Sequence, residues 1–347
     1  MNNFPLIGIT MGDPAGIGPE VALKAVSDKS IYEFCHPLII GDAAVIKKTI
    51  RLIGLKLKVN SITNIEDINN QSNVVDVYDL KNVDVENVKF GVVSADAGNA
   101  AFEAIKKAID LALENKIDAT VTGPINKESL NLAGHKFAGH TEIFSRFTNT
   151  KKCAMLLADD SLKVIHVSTH LSLSEACKLV KKERIIEVIE LLHEGLKKLG
   201  VENPVIGVAG LNPHAGDGGL FGTEEINEII PAIETANANG FIIEGPIPAD
   251  TLFLKARYGK YDGCVAMYHD QGHIPFKLNG FTWDNNNQTM SSVRGVNITL
   301  GLPIIRVSVD HGTAFEIAGK GIASAEAMLL SIKYASQMVN KYRKTNK

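Results

Sequence analysis

Short runs of β-branched and aliphatic residues alternate with amphipathic stretches along the whole chain, and that rhythm constrains its fold more than any other feature. Runs of strand character fall at residues 6–11, 37–40, 74–78, 119–122, 164–168, 205–209, 263–267 and 304–309. Between them, residues 97–115, 181–199, 224–237 and 323–341 repeat apolar positions at helical spacing. A parallel connection needs a long crossover and a helix supplies it, so the alternation predicts an α/β fold around a largely parallel sheet. Ligands in such sheets bind beyond the carboxyl ends of the strands, which directs attention to the polar residues just after each run.

The 347 residues suffice for two domains. Hydrophobic residues make up 45% and charged residues 22%, which excludes wholesale disorder. With 36 Lys+Arg against 39 Asp+Glu, the net charge of -3 offers no broad basic field, so neither nucleic acid nor an anionic membrane is an expected partner. No apolar run approaches the roughly 20 residues of a membrane helix. The start, Met1-Asn2-Asn3-Phe4-Pro5, lacks the basic and apolar stretches of a secretory signal. Cys35, Cys153, Cys177 and Cys264 are scattered without a CxxC, as expected of thiols in a reducing compartment. A cytoplasmic location follows as the expectation. No repeat, charge block or Pro-rich linker divides the chain. Residues 279–292 break composition: they are polar, hold the only tryptophan, Trp283, and predict a long loop.

Four places could carry chemistry. After the first strand run comes Gly12-Asp13-Pro14-Ala15-Gly16-Ile17-Gly18-Pro19-Glu20. Its G-x-x-x-G-x-G spacing is neither the dinucleotide fingerprint nor the P-loop, so a structural turn competes with a weak phosphate cradle. Three histidines closely follow strand runs: His170, His214 and His269. Three neutral imidazoles gathered there could bind a divalent cation and leave a position open for substrate, with Asp270 or Asp217 orienting a ligand. Each could equally be an ordinary surface or core histidine, and His166, inside a strand run, reads as packing.

The third place concerns anions. His140-Thr141-Glu142 follows Gly139 and opens a helical segment, whose free N–H groups favour a negative ligand. Arg306 lies within a strand run, where a charge must be paired or face a site. Lys277 alone reads as a solvated surface lysine. The fourth place, Asp310-His311-Gly312-Thr313-Ala314 through Ala323, links a strand to a helix with small residues. It is a close-approach loop for a ligand or simply a tight connection.

Taken together, Gly8-Ile9-Thr10-Met11-Gly12-Asp13-Pro14-Ala15-Gly16-Ile17-Gly18-Pro19-Glu20, Thr122-Gly123-Pro124-Ile125-Asn126-Lys127, Gly139-His140-Thr141-Glu142, Gly210-Leu211-Asn212-Pro213-His214-Ala215-Gly216, Gly245-Pro246-Ile247-Pro248-Ala249-Asp250-Thr251, Tyr268-His269-Asp270-Gln271-Gly272 and Val296-Asn297-Ile298-Thr299-Leu300-Gly301-Leu302-Pro303 resemble the 4-hydroxythreonine-4-phosphate dehydrogenase family. The motifs run in order over nearly the whole chain. Residues 310–323 are also similar to the cofactor loop of isocitrate and isopropylmalate dehydrogenases, distant relatives of that family.

The resemblance implies two α/β/α domains with an active-site cleft between them, which we place at residues 1–130 plus 300–347, with the cofactor loop, and 131–299, with the metal and substrate residues. It implies a homodimer with the site at the subunit interface. One divalent cation (zinc, magnesium or cobalt) would be held by His170, His214 and His269, with ligands shared between partners. Substrate binding is implied for His140, Thr141, Lys277, Asn297 and Arg306, and binding of NAD or NADP for His311, Gly312, Thr313 and Ala314. The implied reaction oxidises 4-phosphooxy-L-threonine and then releases CO2, giving 3-amino-2-oxopropyl phosphate for pyridoxal 5'-phosphate synthesis. Lys277 is the expected proton carrier, since burial and nearby cations can tune a lysine.

Against the family's pattern, residues 278–294 intervene between the substrate lysine and the Gly-Val-Asn segment. A surface insertion is the plain reading, and a lid in which Trp283 closes over substrate is the sharper one. Two other activities stand as alternatives: a paralogous phosphothreonate or phosphoerythronate dehydrogenase, which would keep the metal histidines and cofactor loop, and, more remotely, a phosphate acyltransferase, which shares the distant fold but needs no three-histidine metal site.

Overall fold

A computed structural model describes residues 4–284, 289–293 and 295–345. From the N-terminus the chain runs β1 (Leu6–Thr10), α1 (Gly18–Ser27), β2 (His36–Gly41), α2 (Ala43–Ile53), β3 (Lys58–Ile62), β4 (Val74–Asp79), α3 (Ala95–Leu113) and β5 (Ala119–Thr122). Next come α4 (Lys127–Leu132), α5 (His140–Phe147), β6 (Ala154–Ala158), β7 (Lys163–His166), α6 (Leu173–Lys178), α7 (Lys182–Lys198) and β8 (Val205–Ala209). The remainder is α8 (Ile230–Ala238), β9 (Ile242–Ile247), α9 (Ala249–Arg257), β10 (Gly263–Ala266), α10 (His269–Gly280), β11 (Phe281–Asp284), β12 (Thr289–Val293), β13 (Val296–Leu300), β14 (Ile305–Val309) and α11 (Glu326–Thr345). The chain is α/β, as the alternation predicts. Among the described residues no helix is long and apolar enough to cross a membrane.

The chain divides into two compact units, Met1–Lys151 with Leu302–Lys347, and Lys152–Gly301. The first break therefore falls at 151 rather than at the expected 130. Its cause is packing: Leu130 of α4 and Ile143 and Phe144 of α5 join Phe102, Ile105 and Ile109 of α3 in one buried cluster. The large apolar faces of α4 and α5 thus belong with α3, and the substrate candidates His140 and Thr141 go with them.

In the first unit the strand order is β3-β4-β2-β1-β5-β14, and every pairing is parallel. Strands buried on both faces read as continuous apolar runs, and Ile7, Ile9, Leu38, Ile39 and Ile40 are fully buried. The 19-residue helix α3 starts where the Ser94 hydroxyl accepts from the Ala97 N–H. Its small residues let α4 come close. A Cβ on Gly98 would stand 2.0 Å from the Ser129 carbonyl oxygen.

The second unit orders its strands β13-β6-β7-β10-β8-β9. The β13–β6 and β6–β7 pairings are antiparallel and the others parallel. Its core gathers Leu157, Val164, Leu252, Phe253, Cys264 and Phe276.

A strand was passed over in the sequence and one reading of it needs correction here. Ala154-Met155-Leu156-Leu157-Ala158 is made of helix-favouring residues, yet it forms strand β6 because both neighbours pair with it and bury it. Residues 279–292 are not a long loop. Asn279 and Gly280 finish α10, and β11 and β12 pair as an antiparallel ladder, Phe281 opposite Val293 and Trp283 opposite Met290. Phe, Thr, Trp and Val favour the pleated backbone, which outweighs the polar character of the stretch as a whole. Residues 285–288 and Arg294, part of the same intervening segment, lie outside the described residues.

Candidate active site

The glycine-rich turn after β1 spends its backbone inside the protein. Asp13 N–H donates to the Pro124 carbonyl (2.9 Å), Gly16 N–H to the Asp13 carbonyl (3.0 Å) and Ile17 N–H to the Thr313 carbonyl (3.0 Å). The Ala15 N–H donates to the Asp13 carboxylate at 2.8 Å. These donors are therefore not offered to a phosphate. The glycines serve close approach: a Cβ on Gly18 would meet the Met11 carbonyl at 2.2 Å, and one on Gly16 would meet the Thr313 side chain at 2.9 Å. The turn is a structural support for the loop that carries Thr313. Asp13 is fully buried. Burial raises its carboxyl to about 6, against weaker opposite pulls from Ala15, Ser129 and Asn126.

The loop from His311 to Ala323 is pinned from several sides. The Lys24 ammonium donates to the Gly321 (3.0 Å) and Ala323 (2.7 Å) carbonyls, and the buried Glu20 carboxylate accepts from the Ala323 N–H at 2.8 Å. Ala314 adopts a positive φ of 42°. Burial lowers the His311 imidazole below its usual range, and its Nδ1 lies 3.0 Å from the Gly312 carbonyl oxygen. Gly312, in contrast, is exposed and faces open space. A loop fixed at its ends and open at one glycine can take a flat ligand against its backbone, which fits a dinucleotide.

The anion-binding candidates lie in the same unit. Arg306 of β14 is buried. Its Nη2 donates to the Thr122 hydroxyl at 2.7 Å and its guanidinium sits 5.4 Å from the Phe144 ring centroid. Burial depresses its pKa to about 9, partly offset by Glu142, so the side chain stays cationic at neutral pH. His140 begins α5, where N–H groups lack helical partners. Its Nε2 is buried without a hydrogen-bond partner. Burial, then the Arg306 charge, hold its pKa well below the usual range. A neutral imidazole beside a cation and a helix N-terminus is what an anionic ligand would meet. Thr141 is half-buried next to it.

The histidines belong to the second unit. The His170 and His269 ring centroids are 5.8 Å apart. The His269 Nδ1 lies 2.7 Å from the Asp270 carboxylate, which leaves Nε2 for a cation, the usual division of labour in metal sites. This donor chemistry fits a divalent ion, but among the described residues no three His, Cys, Asp or Glu are gathered to hold one. His214 is exposed, in a left-handed turn where His214, Ala215 and Asp217 all have positive φ. Buried Glu225 holds that turn by accepting from the Leu211 (2.8 Å) and Asn212 (2.7 Å) N–H groups.

Three supporting residues, His273, Gln271 and Glu225, escaped sequence reasoning, and His166 is packed as expected. His273 stacks on His269 with centroids 3.6 Å apart; its spacing of four residues along a helix was the available signal. Burial pushes His273 down to about 4. His166 is buried 4.7 Å from His273 and pushed to about 3 by the same cause. Gln271 ties the start of α10 to β8: its side-chain oxygen accepts from Met267 N–H (2.7 Å) and its amide donates to the Gly210 carbonyl (2.8 Å). Glu225 had no sequence signal, since an acid in a polar stretch reads as solvated. Asn297 is half-buried on β13, and Lys277 is exposed on α10 with its Nζ 5.7 Å from the Phe281 ring centroid.

Comparison with known proteins points to an α/β oxidoreductase of the dehydrogenase type. Along 339 residues the chain is 46% identical to a D-threonate 4-phosphate dehydrogenase of Cupriavidus necator, covering 97% of this chain and 98% of that one. A crystal structure of a 4-hydroxythreonine-4-phosphate dehydrogenase from Burkholderia phymatum is 43% identical with a TM-score of 0.83, over 97% of this chain and 99% of that one. The enzyme of the same name from Klebsiella pneumoniae is 40% identical with a TM-score of 0.84, over 96% and 99%. The model of the family described as pyridoxal phosphate biosynthetic protein PdxA matches residues 33–335, and the chain belongs to that family.

Proposed function

We propose that the chain is an NAD- or NADP-dependent, divalent-cation-dependent dehydrogenase that oxidises the C3 hydroxyl of a four-carbon acid phosphorylated at C4, and then releases its carboxylate as CO2. The observation that carries this is the convergence of His170 and His269, the latter oriented by Asp270, in a chain of this family. The buried Arg306 cation adds a place for phosphate. We read the protein as cytoplasmic and homodimeric. A partner subunit would then contribute to the cation site, since no three of the described His, Cys, Asp or Glu side chains gather to hold a metal within one chain.

Bound cation supplies Lewis acidity to the substrate hydroxyl and the ketone that forms from it, and bound NAD or NADP accepts the hydride. His170, His214 and His269 would hold the cation, and residues His311 to Ala314 the cofactor. Arg306, fixed by Thr122 and Phe144, takes phosphate oxygens. His140, neutral, and Thr141 offer hydrogen bonds beside it, and Asn297 offers its amide. Lys277 takes the hydroxyl proton as the C–H bond gives up its hydride. The new ketone is β to the carboxylate. When the C–C bond breaks, its electron pair flows toward the ketone, and the proton held by Lys277 can return to C2. Over both steps the substrate loses CO2 and one hydride, and no net proton passes to solvent.

Two substrates share this chemistry and differ at C2. With 4-phosphooxy-L-threonine the product is 3-amino-2-oxopropyl phosphate, which serves pyridoxal 5'-phosphate synthesis. With D-threonate 4-phosphate, favoured by the name of the Cupriavidus necator relative, the same bond changes give dihydroxyacetone phosphate. Reduced cofactor formation by the purified protein, offered each acid in turn with metal present, separates the two. Silence with both would overturn the dehydrogenase assignment.

A further inference from the structure

We propose that Lys127, the first residue of α4, is a second cation for the substrate phosphate beside Arg306, and thereby a specificity-determining residue for the phosphorylated acid. This rests on the function proposed above. The backbone at Lys127 is firmly placed. The Asn126 side chain accepts from the Ser129 N–H at 2.9 Å, capping α4, and α4 sits on α3 across Gly98. The side chain then runs toward the start of α5: its Cε lies 3.9 Å from where a Cβ on Gly139 would stand.

Nothing in the fold explains a cation there. The first turn of a helix favours acids and opposes a lysine. Lys127 is exposed and enters none of the ion pairs found among the described residues. Its charge is nevertheless felt at His140, where it joins Arg306 in disfavouring the imidazolium. Glu142 faces the same point, its Oε2 3.6 Å from the Gly139 Cβ position, and acts on Arg306 as the opposing charge. Arg306 against Glu142 leaves little net charge, and His140 is neutral. Lys127 therefore supplies the excess positive charge that a phosphate dianion requires, and a small uncharged group would not need it.

The test uses the full-length protein with Lys127→Met and Lys127→Arg. With whichever acid the wild type oxidises, Lys127→Met should raise KM about ten- to a hundredfold while kcat changes much less, and Lys127→Arg should recover most of the affinity. Inhibition by inorganic phosphate should weaken in the same variant. If KM and phosphate inhibition stay within about twofold of wild type, Lys127 plays no such part. Should the wild type oxidise neither acid, the proposed function fails separately, and calorimetric binding of inorganic phosphate decides the role of Lys127. Weaker binding in Lys127→Met supports it; equal binding, or none by the wild type, overturns it. Lys127→Gln serves if the Met variant does not fold.

Discussion

Asp13 is a buried acid whose charge works against the fold. Its carboxyl titrates near pH 6 in the native protein and near 3.8 in the unfolded chain. Between those values the native state binds more protons, so stability falls as pH rises through the window. At pH 7 the full penalty applies, on the order of 3 kcal/mol. Asp13→Asn keeps an oxygen for the Ala15 N–H and removes the charge. It should melt above wild type at pH 7, with the difference fading toward pH 4; a gap independent of pH would show that Asp13 is not the titrating group. Lys277 poses a different question, because it is exposed on α10 and one chain gives it no burial. If it carries the proton, Lys277→Met should lose about a hundredfold or more in kcat with bound metal unchanged. A loss confined to KM would leave it as a binding residue. At this scale the sequence displayed residue types well and partners poorly. Histidines after strands stood out, whereas the stacking of His273 on His269 depends on the face that α10 presents, and the support given by Glu225 depends on a turn formed by residues before it.

The elements owe their closeness to small residues. Gly98 is the sharpest instance, since an added Cβ would overlap the Ser129 carbonyl oxygen and carbon at 2.0 and 2.2 Å, both backbone atoms. Gly98→Ala should push α4 off α3 and cost about 1–3 kcal/mol or more, measured by urea unfolding. Because α4 carries Lys127, weaker phosphate inhibition should accompany the loss. An unchanged unfolding midpoint would mean that the two helices are not held in this contact. Parallel strands such as β1 and β2 were legible because burial on both faces writes an unbroken apolar run. β6 was not, because alanine, methionine and leucine carry no strand preference and only pairing with β7 and β13 places them in the sheet. The ladder of β11 and β12 was hidden by the asparagines between its arms.

At the scale of the whole molecule, the alternation of strand and helix predicted an α/β chain, and the motifs identified the family that comparison bears out. The break near residue 151 was beyond reach because the apolar faces of α4 and α5 do not say which core they join. The candidate site was legible as a set of residues and not as an arrangement. One chain brings His170 to His269, and Arg306 to the start of α5, while His214 sits in a left-handed turn. The proposed reaction couples oxidation to decarboxylation with the help of a cation at these histidines. It is tested most directly by measuring reduced cofactor and CO2 together, before and after chelation and metal restoration. Equal amounts of both products are expected, lost with the chelator and recovered with added divalent metal. Reduced cofactor formed without CO2, or turnover indifferent to the chelator, would contradict it.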